Sequence, residues 1–192
     1  VTLAAGDVKS CTLTNTFKAP KLTVTKVVVN DNGGTKTVSD FPLFVDGSPV
    51  TSGVQITSSV GTRTVTETAD ANYTSAFSGD CAANGTVTLA AGDVKSCTIT
   101  NDDIAPKLTL TKVVVNDNGG TKTVTDFPLF IDGNGTTSGT QVTLDAGPHT
   151  VSETGQAGYA ATITGDCAAN GSITLNPGDV KACTITNDDI AP

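Results

Sequence analysis

The segment KLTVTKVVVN at residues 21–30 returns almost unchanged as KLTLTKVVVN at residues 107–116. Both alternate apolar and polar residues with the period of two expected of a half-buried strand. Leu22, Val24 and Val28 share one face, and Lys26 lies between them on that same face. A buried, unpaired ammonium costs several kcal/mol, so a fold that contains this strand must pair Lys26, neutralise it or consume it chemically.

The repetition extends over the whole chain. Lys26 recurs as Lys112, Glu67 as Glu153, Cys81 as Cys167, Cys97 as Cys183 and Asn101 as Asn187, always 86 positions on and without insertion or deletion. Residues 1–15 repeat residues 87–101 with Leu13 in place of Ile99. The expected division is therefore residues 1–20, the C-terminal strands and linker of a preceding repeat, followed by two whole repeats with their linkers, 21–106 and 107–192. The chain reads as an excerpt from a longer tandem array.

Each repeat reads as all-β. In the first, strands are expected at 21–30, 35–39, 41–46, 54–57, 62–67, 73–78, 86–90 and 94–100. Turn signals separate them at Asn32-Gly33-Gly34, Asp46-Gly47, Gly61, Asn84-Gly85 and Ala91-Gly92-Asp93. So many short strands in one repeat point to a Greek-key, immunoglobulin-like two-sheet β-sandwich. The linker Asp102-Asp103-Ile104-Ala105-Pro106 is short and poor in glycine, which predicts a stiff rod of domains.

Composition narrows the function classes. A net charge of −8 without a basic patch argues against nucleic acid as a partner. No apolar run approaches the roughly 18 residues of a membrane span. No Ser/His/Asp, Cys/His or phosphate-loop arrangement is present, so an enzyme acting on an outside substrate is not expected.

Cysteines occur as Cys81 with Cys97 and Cys167 with Cys183, leaving Cys11, whose partner would precede Val1. Two cysteines per repeat and a single histidine, His149, cannot build a four-ligand zinc site. Disulfides within each repeat are expected, across a hairpin turning at Ala90–Asp93. Each contributes roughly 3 kcal/mol in the chain-entropy model and implies an oxidising compartment.

Two more polar residues share the core phase. Glu67 is in register with Val65, and Asn101 is in register with Cys97 and Ile99. A sandwich can bring Lys26, Glu67 and Asn101 together. Burial favours the neutral amine and the neutral acid. The Lys26 amine can then attack the Asn101 side-chain carbonyl, with Glu67 polarising it and relaying protons until ammonia leaves as an isopeptide bond forms. Two plainer readings stand beside this: Lys26 snorkelling or paired with Glu67, and Asn101 as a turn residue opening an acidic linker.

The series LTVTK, TVTET followed by Tyr73, and TITN, with VSETGQAGY in the second copy, resembles the CnaB-type or prealbumin-like (SpaA-like) repeat domains of bacterial surface proteins and pilins. The resemblance covers both repeats, although Ala69-Asp70-Ala71-Asn72 precedes Tyr73 where that family usually has Ala-Pro-x-Gly. It implies isopeptide bonds Lys26–Asn101 and Lys112–Asn187 with Glu67 and Glu153 as catalysts. Asn15 would pair with a lysine upstream of the excerpt, as Cys11 would with an upstream cysteine.

The expected role is a structural repeat of an extracellular or cell-surface filament, stalk or adhesin, whose partners are neighbouring copies of the repeat and other filament subunits. The alternative is an adhesive module that binds a glycan or a host protein through the loops where the copies differ most, 47–60 against 133–147 and 69–78. No cofactor is expected. A minor reading places Ca2+ at the domain junctions, where Asp102-Asp103 could join Asn30–Gly34; an Asn-Gly-Gly hairpin turn explains the latter more simply. Asn72, Asn84, Asn134 and Asn170 lie in glycosylation sequons.

Overall fold

A computed structural model describes residues 1–192. The first repeat comprises β1 (Lys21–Val29), β2 (Leu43–Val45), β3 (Ser48–Val50), β4 (Gln55–Thr57), β5 (Gly61–Glu67), β6 (Tyr73–Gly79), β7 (Thr86–Leu89) and β8 (Val94–Asp103). The second follows the same plan: β9 (Lys107–Val115), β10 (Leu129–Ile131), β11 (Asn134–Thr136), β12 (Gln141–Thr143), β13 (Gly147–Glu153), β14 (Tyr159–Gly165), β15 (Ser172–Leu175) and β16 (Val180–Asp189). The sheets run β4-β1-β8-β6 and β3-β2-β5-β7, with β12-β9-β16-β14 and β11-β10-β13-β15 as their counterparts. Two tandem all-β sandwiches result, as the strand pattern predicts. No helix is long and apolar enough to cross a membrane.

One pairing sets this topology apart. The first and last strands of each repeat, β1 and β8, lie side by side and run parallel, with Lys26 opposite Ile99 and Val28 opposite Asn101. All other pairings are antiparallel. The core fills the space between the sheets: Leu22, Val24, Cys97 and Ile99 from one side meet Leu43, Val45, Val65, Val87 and Leu89 from the other. Burying each of these aliphatic side chains stabilises the fold by about 1.5–3 kcal/mol. With only ten buried residues in the cluster, the covalent bridge matters. Cys81 joins Cys97 and Cys167 joins Cys183, with Cα separations of 5.1 Å and 5.4 Å. Cys11 is free and exposed.

Several local expectations are corrected. Residues 35–39 form no strand; a 3-10 turn at Val38–Asp40 takes their place. The Thr and Val residues there favour β structure, but the Asp40 carboxylate accepts from the Thr37 amide and hydroxyl and holds the turn closed. The stretch 41–46 is shortened to β2 and followed by an unforeseen β3. Asp46 and Gly47 both adopt positive φ, 49° and 79°, the conformation of a tight hairpin turn. Pro49 is tolerated because β3 is an edge strand.

The Ala90–Asp93 turn is not a hairpin: β7 belongs to one sheet and β8 to the other. The disulfide therefore ties β8 to the segment after β6, whose Gly79 pairs with Cys97. Strand β8 continues through Asp103, so the linker is only Ile104-Ala105-Pro106 and Asn101 lies inside the strand. Residues 1–18 are exposed and form no strand; in both whole repeats the equivalent segment supplies β7 or β15 beside β5 or β13, and β8 or β16 between β1 and β6 or β9 and β14.

Candidate functional site

Strand alternation carries Lys26 inward exactly where Leu22 and Val24 point, and β1 buries all three. Lys26 retains 4% of its surface and Asn101 1%. Asn101 faces the same interior from the neighbouring strand β8, and Glu67 enters from the opposite sheet at the end of β5. In the first repeat Lys26 Nζ lies 2.7 Å from Glu67 Oε2, with Asn101 buried on the adjacent strand. In the second repeat Lys112 Nζ is 3.1 Å from Glu153 Oε2 and donates to Asn187 Oδ1 at 2.5 Å. It also donates to the carbonyls of Ile185 and Val113, each at 3.2 Å.

Lys26 Nζ and Glu67 Oε2 form a buried ion pair in the first repeat, as Lys112 and Glu153 do in the second. Glu67 Oε1, Asn101 Oδ1 and Glu153 Oε1 have no hydrogen-bond partner, and a buried group left so costs roughly 1–3 kcal/mol. Burial pushes the Lys26 amine below its ordinary pKa, and the hydrogen bond and charge of Glu67 offset this only in part; Lys112 behaves likewise beside Glu153. Both shifts favour the neutral, nucleophilic amine.

Sequence reasoning missed the lid over this site. The Phe41 ring lies 4.8 Å from Lys26 Nζ, and the Phe127 ring 4.7 Å from Lys112 Nζ. Each phenylalanine packs edge-on against a tyrosine, Tyr73 or Tyr159. The signal was present in the repeated DFPLF at residues 40–44 and 126–130. Phe41 also lines an apolar surface depression with Val38, Pro42, Leu43 and Val50, and so stands between that depression and the amine. The lysine side chain has no exposed surface.

A second polar knot closes the end of each sandwich. The buried Asp103 carboxylate accepts from the amides of Asn32 and Gly34 and from the Asn32 side chain. The Tyr73 hydroxyl donates to Asn30 Oδ1 at 2.7 Å and accepts from the Lys36 amide. A Cβ at Gly34 would lie 2.4 Å from the Tyr73 hydroxyl, so only glycine fits there. Asp189 repeats the arrangement; burial acts to raise its carboxyl, but the amides of Gly120, Asn118 and Asp117 hold it below the ordinary aspartate value. Asp31, Asp102 and Asp103 lie close enough to share a cation. Partial desolvation and the charges of Asp31 and Asp103 raise the Asp102 carboxyl. Since the Asp103 carboxylate is already engaged by backbone amides, the cluster offers a metal only two exposed carboxylates.

The profile of the prealbumin-like fold domain matches residues 18–99 and again 103–185. No curated protein sequence matches the chain. Among solved structures, the Bacillus anthracis TIE protein is 16% identical at a TM-score of 0.47; the match covers 90% of this chain and 34% of that one. The chain thus spans about a third of that protein's length. Two major pilin proteins of Streptococcus pyogenes are 14% and 13% identical, with TM-scores of 0.33 and 0.37, and the matches cover 92% and 90% of this chain and 98% and 99% of theirs. With each repeat matched in turn by one family profile over nearly its whole length, the chain belongs to the prealbumin-like fold domain family.

Proposed function

We propose that this chain is a load-bearing segment of an extracellular filament, stalk or adhesin, locked in each repeat by a self-made isopeptide bond, Lys26–Asn101 and Lys112–Asn187. The observation that carries the reading is the meeting of a fully buried lysine, whose pKa burial lowers, and a buried asparagine on adjacent parallel strands, with a glutamate from the facing sheet against the amine. The neutral amine attacks Asn101 Cγ. A proton passes from the amine through Glu67 to Nδ2, the Cγ–Nδ2 bond breaks, and ammonia leaves. The product is a neutral amide, so the buried charge disappears. The reaction occurs once per repeat and needs no cofactor.

Topology supports the mechanical role. Force applied at the ends of a repeat arrives at Lys21 and Asp103, the outer ends of two parallel neighbours, and loads their ladder in shear. A covalent tie between those strands diverts the load past the rest of the sandwich. The two disulfides favour an oxidising, extracellular or cell-surface setting. The partners are other copies of the repeat and further subunits of the same filament.

Intact mass after reduction tests the chemistry. The expected mass is the sequence mass less one ammonia for each whole repeat, two in all. The full sequence mass would refute the crosslink.

A further inference from the structure

The junction between the repeats is held by specific backbone bonds. Ile104 belongs to both sides: its N–H donates to the Asn72 carbonyl of the first repeat at 3.0 Å, and its carbonyl accepts from the Gly178 N–H of the second at 2.6 Å. A third bond crosses separately, from the Ala146 N–H to the Asn32 carbonyl at 2.7 Å. Asn32 can serve because Asp103 grips its amide and side chain and so fixes the direction of its carbonyl. Gly33 sits so close to the second repeat that an added Cβ would lie 2.5 Å from the Ala146 carbonyl oxygen.

The trailing end of the second repeat carries the same apparatus on an exposed face. The Asp189 carboxylate accepts from the Asn118 amide and the Asp189 carbonyl from the Asn118 side chain, and the Ile190 N–H donates to the Gly158 carbonyl at 2.9 Å. Ile190 is 61% exposed, whereas its counterpart Ile104 is half-buried. Nothing lies within 4 Å of a Cβ added at Gly119, the counterpart of Gly33. The receiving loop also recurs, since the Gly92 N–H donates to the Lys18 carbonyl as Gly178 does to Ile104.

We propose that the trailing face formed by Asn118, Gly119, Gly158 and Ile190 is a preformed docking surface for the leading loops of another copy of this repeat, the loops equivalent to Ala146 and Gly178. Each added repeat then takes the orientation that the second holds on the first. Relative motion is the default for domains that share only a modest interface; here two backbone bonds between the repeats, Ala146 to Asn32 and Gly178 to Ile104, and one glycine contact fix them. The inference builds on the array reading of the proposed function but needs no isopeptide bond.

The test compares Gly33→Ala with Gly119→Ala in the 192-residue chain by 15N relaxation. Both glycines have positive φ, 84° and 94°, so the local backbone strain is matched. Only the Gly33 substitution meets a neighbouring repeat. Wild type and Gly119→Ala should show one rotational correlation time for both repeats. In Gly33→Ala each should fall by roughly twofold, as a hinged repeat tumbles as a body of half the mass. Amide spectra of each sandwich report that it remains folded. In a chain lengthened by a further copy of residues 107–192, Gly119→Ala should release the added repeat in the same way. Independent tumbling in wild type, equal behaviour of the two variants, or a silent Gly119→Ala in the longer chain would overturn the proposal. Loss of ammonia, read by mass in the same samples, reports the crosslink separately.

Discussion

Replacing Glu67 by glutamine preserves the size of the side chain but removes the group proposed to carry the proton from amine to leaving nitrogen. The first repeat should then stay uncrosslinked while the second reacts, so the chain should lose one ammonia. The mechanical result follows from the topology. Roughly 60 of the residues between Lys26 and Asn101 lie outside the Cys81–Cys97 loop, and at about 3.4 Å each they would release about 200 Å when the sandwich opens. Stretched from its ends as a single molecule, the wild-type chain should show no such step in either repeat. The Glu67→Gln chain should show one. Reducing the disulfides should lengthen that step by about 50 Å, since roughly 15 more residues come free. The same variant should melt early in calorimetry. A tie closing a loop of about 75 residues is worth about 4 kcal/mol, or roughly 15–30 °C for a domain of this size. Two 200 Å steps from the wild type, or the same mass for wild type and variant, would refute the reasoning.

Reduction of the disulfides should lower the stability of each repeat by about 3 kcal/mol, read as a fall in denaturation midpoint with dithiothreitol. Tyr73→Phe removes a hydroxyl that bonds Asn30 and Lys36, and should cost about 1–2 kcal/mol in chemical denaturation of the first repeat alone. His149 predicts a pH effect confined to the second repeat. Burial acts to lower its pKa, but hydrogen bonds to the Asp132 carboxylate at 2.7 Å and the Asp145 carbonyl at 2.8 Å outweigh it, and the folded value is raised. A raised folded pKa stabilises fully below the unfolded value of about 6.5 and is lost as pH rises through the folded one. The melting temperature of the second repeat should therefore fall, relative to the first, over that window. Arg63 makes the equivalent contacts with Asp46 and Val60 in the first repeat, and arginine as a side-chain type does not change charge in this pH range. His149→Arg should abolish the difference, and a difference that survives would refute the assignment.

The inward lysine was legible because a strand has a period of two, which assigns Lys26 to a face without knowledge of its neighbours. Glu67 and Asn101 followed by the same rule. The lid did not: nothing in a local pattern says that Phe41, after a 3-10 turn, reaches across to cover β1. Nor does local pattern reveal which sheet a strand joins, so the β7–β8 connection looked like a hairpin. Asp102 and Asp103 suggested a solvated linker because paired acids usually end a strand. The strand continues because the amides of Asn32 and Gly34 satisfy Asp103, and those lie far away in sequence.

The parallel run of β1 beside β8 also governs reach. The chain comes in at one end of a strand and goes out at the opposite end of its neighbour, so each repeat carries whatever follows it outward by about one strand length, roughly 30 Å. A gene that gains or loses one such unit lengthens or shortens the protein by a fixed increment. Because the copies match without insertion or deletion, every such change leaves the remaining junctions intact.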